Sequence, residues 1–158
     1  MDELLVVGEG PVAGALVPMA ELLGWRATVA TTLPDVRSAL RSARAVVVTS
    51  HDDDLDSPAI AAALEAQVAY LGAMGSRARQ GRRREWLLAN GVAEDRLAEV
   101  HGPAGLDIGA DSPAEIALSI LAELVATLHG AGTTGSISDR DGPVHPDKAP
   151  GEAYHPPG

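Results

Sequence analysis

Near its amino terminus the chain reads Leu4-Leu5-Val6-Val7-Gly8-Glu9-Gly10-Pro11-Val12-Ala13-Gly14. The unbroken apolar run predicts a strand buried on both faces, because a strand with one wet face alternates between apolar and polar residues. A helical pattern follows over residues 11–23, with a proline at its start and Gly24 just past its end. A buried strand that turns through glycines into a helix is typical of the first unit of a parallel α/β sheet.

Strand and helix patterns keep alternating from this unit to residue 128. Further strands are predicted at residues 28–30, 45–49, 68–74 and 98–101, and further helices at 35–42, 57–66, 76–90 and 112–128. The last helix starts with a capping box, in which Ser112 and Glu115 satisfy each other's free backbone amides. Because crossovers between parallel strands are right-handed, this pattern predicts an α/β fold with a Rossmann-like doubly wound parallel sheet of about five strands.

The composition excludes several classes of protein. The chain has 158 residues, 46% of them hydrophobic, which suits one globular domain. A net charge of −10, with only two Trp, two Tyr and no Phe, argues against a nucleic-acid partner. The absence of cysteine excludes disulfides, thiolate metal sites and cysteine nucleophiles. No basic segment precedes Leu4 and the longest apolar stretch, 116–128, is short for a membrane span, so we expect a cytoplasmic protein without a membrane partner.

The composition changes after His129, which predicts a Rossmann-like domain over residues 1–129 and a Gly/Pro-rich arm over 130–158. The few apolar residues of the arm are Ile137, Val144 and Tyr154. Their side chains can be buried, and so contribute to stability, only if they lie against another surface. The last helix carries more apolar residues than a narrow core stripe needs, namely Leu121, Leu124, Val125 and Leu128. We therefore expect a homodimer in which residues 135–146 lie over the neighbouring subunit.

The glycine loop has the position of a dinucleotide-binding loop but not all of its residues. Gly8, Gly10 and Gly14 follow the spacing G-x-G-x-x-x-G, and such glycines let backbone amides approach a pyrophosphate. However, Glu9 places a carboxylate in the loop, and residues 30–32 contain no acid to bind a ribose. We therefore expect NAD(P) to bind weakly or not at all. The alternative is that the glycines only permit a tight strand-to-helix turn.

Three further segments place polar residues at predicted strand ends. Gly75-Ser76-Arg77 combines free helix amides, a hydroxyl and a guanidinium, which are the parts of an anion site; a plain serine cap with a solvated arginine is the alternative. His51 and Asp52 are site candidates without assigned chemistry, and we assign no metal to the acidic loop 52–56, in which Asp56 or Ser57 is expected to cap the next helix. For Asp107, which follows the fifth strand, we expect one of two roles: it binds a polar group of a ligand, or it fixes the loop to which it belongs.

Arginines are concentrated in the predicted helix 76–90. Five of the twelve basic residues fall within residues 77–84, and they are Arg77, Arg79, Arg82, Arg83 and Arg84. We expect residues 82–84 to form a solvated helix face paired with nearby acids such as Glu85. Arg77 is the preferred anion ligand because it sits at the helix start.

Most of the chain resembles one known family. The segments that carry the likeness are Val47-Val48-Thr49-Ser50-His51-Asp52 with Asp56, Ala69-Tyr70-Leu71-Gly72-Ala73-Met74-Gly75-Ser76-Arg77, Gly105-Leu106-Asp107-Ile108-Gly109-Ala110, and residues 113–123. They are similar to the C-terminal Rossmann domain of the xanthine dehydrogenase accessory protein family, XdhC. The tail segments 135–138 and 142–146 also resemble a family ending.

The resemblance implies a non-catalytic accessory protein that binds molybdenum cofactor of the molybdopterin type. Such proteins assist cofactor sulfuration and insertion into the apo-enzyme of a molybdenum hydroxylase, such as xanthine or carbon monoxide dehydrogenase. The cofactor-binding candidates are Gly8, Gly10, Gly14, His51, Asp52, Gly75, Ser76, Arg77 and Asp107. Family members also carry an upstream domain, often with a cysteine, whereas this chain begins at the Rossmann half. Because it has no cysteine, we expect a separate sulfur-transfer protein. An NAD(P)-dependent oxidoreductase and a non-catalytic interaction module are the alternatives.

Overall fold

A computed structural model describes residues 1–131 and 134–145 of the chain. The strands are β1 (Glu3–Val7), β2 (Arg26–Ala30), β3 (Ala45–Val48), β4 (Tyr70–Ala73) and β5 (Val100–His101). The α-helices are α1 (Pro11–Leu22), α2 (Leu33–Ala39), α3 (Asp53–Ala66), α4 (Arg77–Ala89) and α5 (Pro113–Leu128). Short 3₁₀ helices cover Glu94–Glu99 and Ile137–Asp139.

The strands form one parallel sheet in the order β2-β1-β3-β4-β5. Helices α1 and α5 pack together on one face of the sheet, while α2, α3 and α4 cover the other. The predicted Rossmann-like doubly wound fold is therefore confirmed.

The core lies on both faces of the central strands. Leu4 and Val6 of β1 pack against α1 and α5, whereas Leu5 and Val7 pack against the opposite helix layer. All of β3 is buried as well. The unbroken apolar runs that suggested doubly covered strands are explained by this arrangement.

Helix α3 begins earlier than predicted. The Asp52 carboxylate accepts a hydrogen bond from the Asp54 amide at 3.0 Å, so the helix starts at Asp53 and Pro58 lies inside it. Acidic side chains favour a helix start, because they complement the positive end of the helix dipole. As a result Asp56 and Ser57 are buried within the helix, and the expectation that one of them caps it is wrong.

Most of the large apolar side chains of α5 are buried or partly buried in the core of the domain itself. Leu121 and Leu124 are buried against α1 and the sheet, because α5 contacts both at once. The large apolar side chains of α5 that are exposed are Val125, which belongs to the predicted set, and Leu118, which does not, at 39% and 54%. In the arm, Ile137 and Val144 are exposed, while residues 146–158, including Tyr154, lie outside the described residues.

No helix in the described part of the chain is long and apolar enough to cross a membrane.

Candidate functional site

The crossover direction reverses between β1 and β3, and this divides the carboxyl edge of the sheet. After β1 the chain enters α1 on one face, and after β3 it enters α3 on the other. Open α/β sheets bind ligands outside the carboxyl ends of the strands at such a switch point. The loops after β1, β3 and β4 contain most of the predicted site residues, and the parallel sheet brings these loops to one edge.

Gly8 is a glycine because two loops meet there. Its φ is +107°, and a Cβ atom on it would lie 2.5 Å from Ser50 Cβ and 2.7 Å from Ser50 Cα. The loop after β1 therefore packs directly on the loop after β3. A side chain at this position would force the two loops apart.

The other two glycines of the loop have open surroundings. Gly10 precedes α1 with φ +136° and provides no side-chain cap, while Gly14 lies inside α1. A Cβ atom on either one would meet no atom of the described part of the chain within 4 Å. Glu9 is exposed and makes no ion pair or hydrogen bond with the described residues. Close packing thus requires a glycine at position 8 and a positive φ favours one at position 10, whereas neither applies at position 14.

A buried ion pair, which sequence reasoning missed, lies below the loops after β3 and β4. Arg83 of α4 donates to Asp56 Oδ2 at 2.8 Å, and the two residues are only 2% and 0% exposed. The Ser50 hydroxyl donates to the same carboxylate. Burial raises the pKa of Asp56, outweighing the opposing effect of the hydrogen bonds from Ser50 and Arg83.

Arg83 also reaches backbone atoms of both loops. Its guanidinium donates to the Met74 carbonyl and, at 3.5 Å, to the Ser50 carbonyl. The Nε atom of Arg83 is buried without a partner among the described residues. The expectation of a solvated Arg83 is wrong, because the inner face of α4 packs against α3 and carries this arginine with it. Arg84, in contrast, is half-exposed and pairs with Glu94 at 2.6 Å.

The start of α4 faces the His51 loop. Ser76 caps the helix by accepting from the Arg79 amide at 3.2 Å, after Gly75 with φ +125°. Arg79 donates to the His51 carbonyl at 3.0 Å and to Asp53 at 2.8 Å. Arg77 is exposed, and no hydrogen bond or ion pair joins its side chain to any described residue. Arg79 therefore fastens this helix end, whereas Arg77 keeps its guanidinium available.

The loop after β5 is held from α5. The Glu123 carboxylate accepts from the Gly105 amide at 3.1 Å and from the Tyr70 hydroxyl at 2.7 Å. His101 Nδ1 lies 3.4 Å from the same oxygen, and its ring stacks on Tyr70 with centroids 4.9 Å apart. Burial is the main cause that raises the pKa of Tyr70, and the neighbouring Glu123 carboxylate raises it further. This cluster fixes the base of the loop that carries Asp107.

The structure joins some of the predicted site residues and not others. Gly8 contacts the loop of His51 and Asp52, and Arg79 connects that loop to the Ser76 helix start. Asp107 is exposed and has no bond to any of these within residues 1–131 and 134–145. No group of three or more potential metal ligands occurs in that same part of the chain.

The fold and the polar loops at its carboxyl edge define a Rossmann-type α/β domain. The chain belongs to the XdhC family, because residues 4–124 match the family model described as the XdhC Rossmann domain.

Two curated relatives and one solved structure are similar to this chain. An uncharacterized protein of Escherichia coli K12, YqeB, is 30% identical over 151 aligned residues, which cover 81% of this chain and 28% of YqeB. The molybdenum cofactor insertion chaperone PaoD of the same organism is 29% identical over 124 residues, covering 78% of this chain and 39% of PaoD. A solved Bacillus halodurans structure, described as a xanthine dehydrogenase, shares the fold with a TM-score of 0.65 and 24% identity, covering 86% of this chain and 45% of that one. The chain thus corresponds to less than half the length of each of these proteins.

Proposed function

We propose that this domain binds molybdenum cofactor at the carboxyl edge of its sheet and assists its insertion into a molybdenum hydroxylase of the xanthine or carbon monoxide dehydrogenase type. Membership of the XdhC family supports an accessory role. The relative PaoD, a molybdenum cofactor insertion chaperone, supports the cofactor. We further propose that a separate protein supplies sulfur, since this sequence contains no cysteine.

The residues at the start of α4 suit the phosphate of a molybdopterin. The Arg77 guanidinium has no partner within residues 1–131 and 134–145, and this observation supports the proposal most directly, because arginine binds phosphate through two parallel hydrogen bonds. Ser76 adds a hydroxyl, and the first amides of α4 add donors at the positive end of the helix dipole. When bound, the cofactor would bring the pterin dithiolene and its molybdenum, while this chain would hold and orient the phosphate.

The openness of the site suits transfer to another protein. Arg77, His51 and Asp107 are all exposed at or near the sheet edge, so a ligand held there remains accessible to a partner. A cofactor carrier must release its cargo, and a few charge-assisted hydrogen bonds at a surface give binding that is specific but reversible. The partner in this proposal is the apo-enzyme that receives the cofactor.

The direct test is titration of the full chain with isolated molybdenum cofactor under anaerobic conditions, followed by intrinsic fluorescence. Arg77→Ala removes a charged donor worth about 1.5–3 kcal/mol, so we expect roughly a 10- to 150-fold loss of affinity. Arg41→Ala is the matched control: Arg41 is also exposed and unpartnered within the described residues, but lies at the opposite edge of the sheet, before β3. The double variant Ser76→Ala/Arg77→Ala should bind more weakly still while its circular dichroism shows a folded domain.

The outcomes separate the competing functions. An unchanged affinity in Arg77→Ala would move the cofactor site to another loop, and failure of the unmodified chain to bind would refute the proposal. Micromolar binding of NAD or NADP in a parallel titration would favour an oxidoreductase. We do not expect that outcome, since Glu9 places a carboxylate in the glycine loop and β2 is followed by Thr31 and Thr32, the latter capping α2, and not by an acid.

A further inference from the structure

We infer that Arg83 is a positioning residue that sets the separation of the loops after β3 and β4, and through them the geometry of the ligand edge. This inference rests on the proposed function for its ligand, but not for its geometry. Arg83 reaches Asp56 of α3, the Ser50 carbonyl after β3 and the Met74 carbonyl after β4. One guanidinium therefore connects two helices and two strand ends.

The fork shape of arginine makes this connection specific. The NH1 group serves Met74, while the NH2 group serves both Asp56 and Ser50. A lysine ammonium is a single point on a flexible stem and cannot occupy these positions together. Among the described residues, no other side chain donates to the Ser50 or Met74 carbonyl. Arg79 still holds the His51 carbonyl, and Gln80 still holds the Ala73 and Gly75 carbonyls, so removal of the fork loosens the two loops at Ser50 and Met74 without detaching them.

The effect extends to the loop after β1 and to the start of α4. Gly8 packs on Ser50, and the Thr49 hydroxyl donates to the Val7 carbonyl at 3.2 Å. Arg77 and Arg83 belong to the same helix, so fixing Arg83 against the strand ends also fixes the direction in which Arg77 leaves the helix. The ion pair between Arg79 and Asp53 at the surface is partly solvated, and it is therefore a weaker restraint on these loops than the buried bonds of Arg83.

Stability alone does not explain a buried charged pair at this position. Desolvation of two charges is costly, and well-packed apolar residues of similar volume are often equally stable or more so. What apolar residues cannot supply is donors to the two loop carbonyls. The cluster of Ser50, Asp56 and Arg83 therefore serves to fix the geometry of the loops after β3 and β4.

Two variants test the inference. Arg83→Lys keeps a positive charge beside Asp56 but removes the fork, and Asp56→Leu/Arg83→Met replaces the pair by apolar side chains. The first measurement is hydrogen exchange of the amides of Thr49, Ser50 and Met74, all of which donate to backbone carbonyls at the strand ends. We expect at least tenfold faster exchange at these amides in both variants, with unchanged exchange in β1 and β2. Arg84→Lys, the matched control on the same helix, should leave all of these rates unchanged.

The second measurement is molybdenum cofactor affinity, for which we expect at least a tenfold loss in variants whose urea midpoint is preserved. Should the apolar double variant fail to fold, Arg83→Lys decides the question by its exchange rates. Unchanged loop exchange in a folded Arg83→Lys protein would overturn the inference, whatever the affinity. If the unmodified chain does not bind the cofactor, the proposed function fails, while the exchange rates still confirm or overturn the positioning role of Arg83.

Discussion

Substitution of Gly8 by alanine should destabilise the domain far more than the same change at the other glycines of its loop. At φ +107° an alanine sits in a region that L-residues rarely adopt, at a cost of about 1–3 kcal/mol. Its Cβ would also lie 2.7 Å from Ser50 Cα and the Ser50 nitrogen, which are backbone atoms and cannot rotate away. Overpacking of this kind adds about 1–3 kcal/mol.

The sum, about 2–6 kcal/mol, is a large share of the roughly 5–15 kcal/mol that stabilises a typical domain. The two other glycines are matched controls because they have open space around them. Gly10→Ala should cost only the backbone strain of its positive φ, about 1–3 kcal/mol. Gly14→Ala, inside α1, should stabilise the domain by roughly 0.5–1 kcal/mol, since alanine is the better helix former.

Urea unfolding followed by far-UV circular dichroism measures all three changes on one scale. The expected order of stability is Gly14→Ala, then the unmodified chain, then Gly10→Ala, then Gly8→Ala, with similar slopes. A Gly8→Ala protein with an unchanged midpoint would refute the close packing of the two loops. If Gly14→Ala destabilised the domain, the result would support a dinucleotide-binding loop, in which the third glycine is needed for close packing of the helix on the strand.

Further predictions concern other parts of the chain. Tyr70→Phe removes a hydrogen bond to the Glu123 carboxylate and should lower the free energy of unfolding by about 1.5–3 kcal/mol, measurable in urea, and no change would contradict the role of that bond. The Ser112 and Asp111 amides lower the pKa of Glu115 below 4.5, so its charge stabilises the fold above that value and this contribution disappears as the pH falls through the lowered pKa. Glu115→Gln should therefore lose less stability on acidification than the unmodified chain in urea titrations at several pH values, and parallel pH curves would contradict this. Truncation after His129 should weaken a homodimer in light scattering while the Rossmann core stays folded, whereas monomers with and without the arm would contradict this assembly.

Much of the fold follows from local patterns in the sequence. The apolar runs of β1 and β3 identify strands covered on both faces, and capping residues such as Ser76 and Ser112 mark helix starts to the residue. Because every predicted connection joins parallel strands, the residues that follow them share one edge of the sheet. The candidate edge that contains His51 and Ser76 could therefore be predicted without coordinates.

The distinction between neighbouring residues of one type needed the tertiary structure. In sequence, Arg77, Arg79 and Arg83 are near-equivalent members of one basic helix. In the structure Arg77 has no partner among the residues described, Arg79 holds a surface loop and Arg83 is buried. The environment of each arginine depends on which face of α4 packs against α3. That packing brings Arg83 to Asp56, which lies 27 positions away in the sequence. Gly8 and Gly14 differ for the same reason, since only the first faces another loop. Local periodicity reports a residue's neighbours along its own element, whereas its burial and its partners are determined by the order in which distant strands assemble.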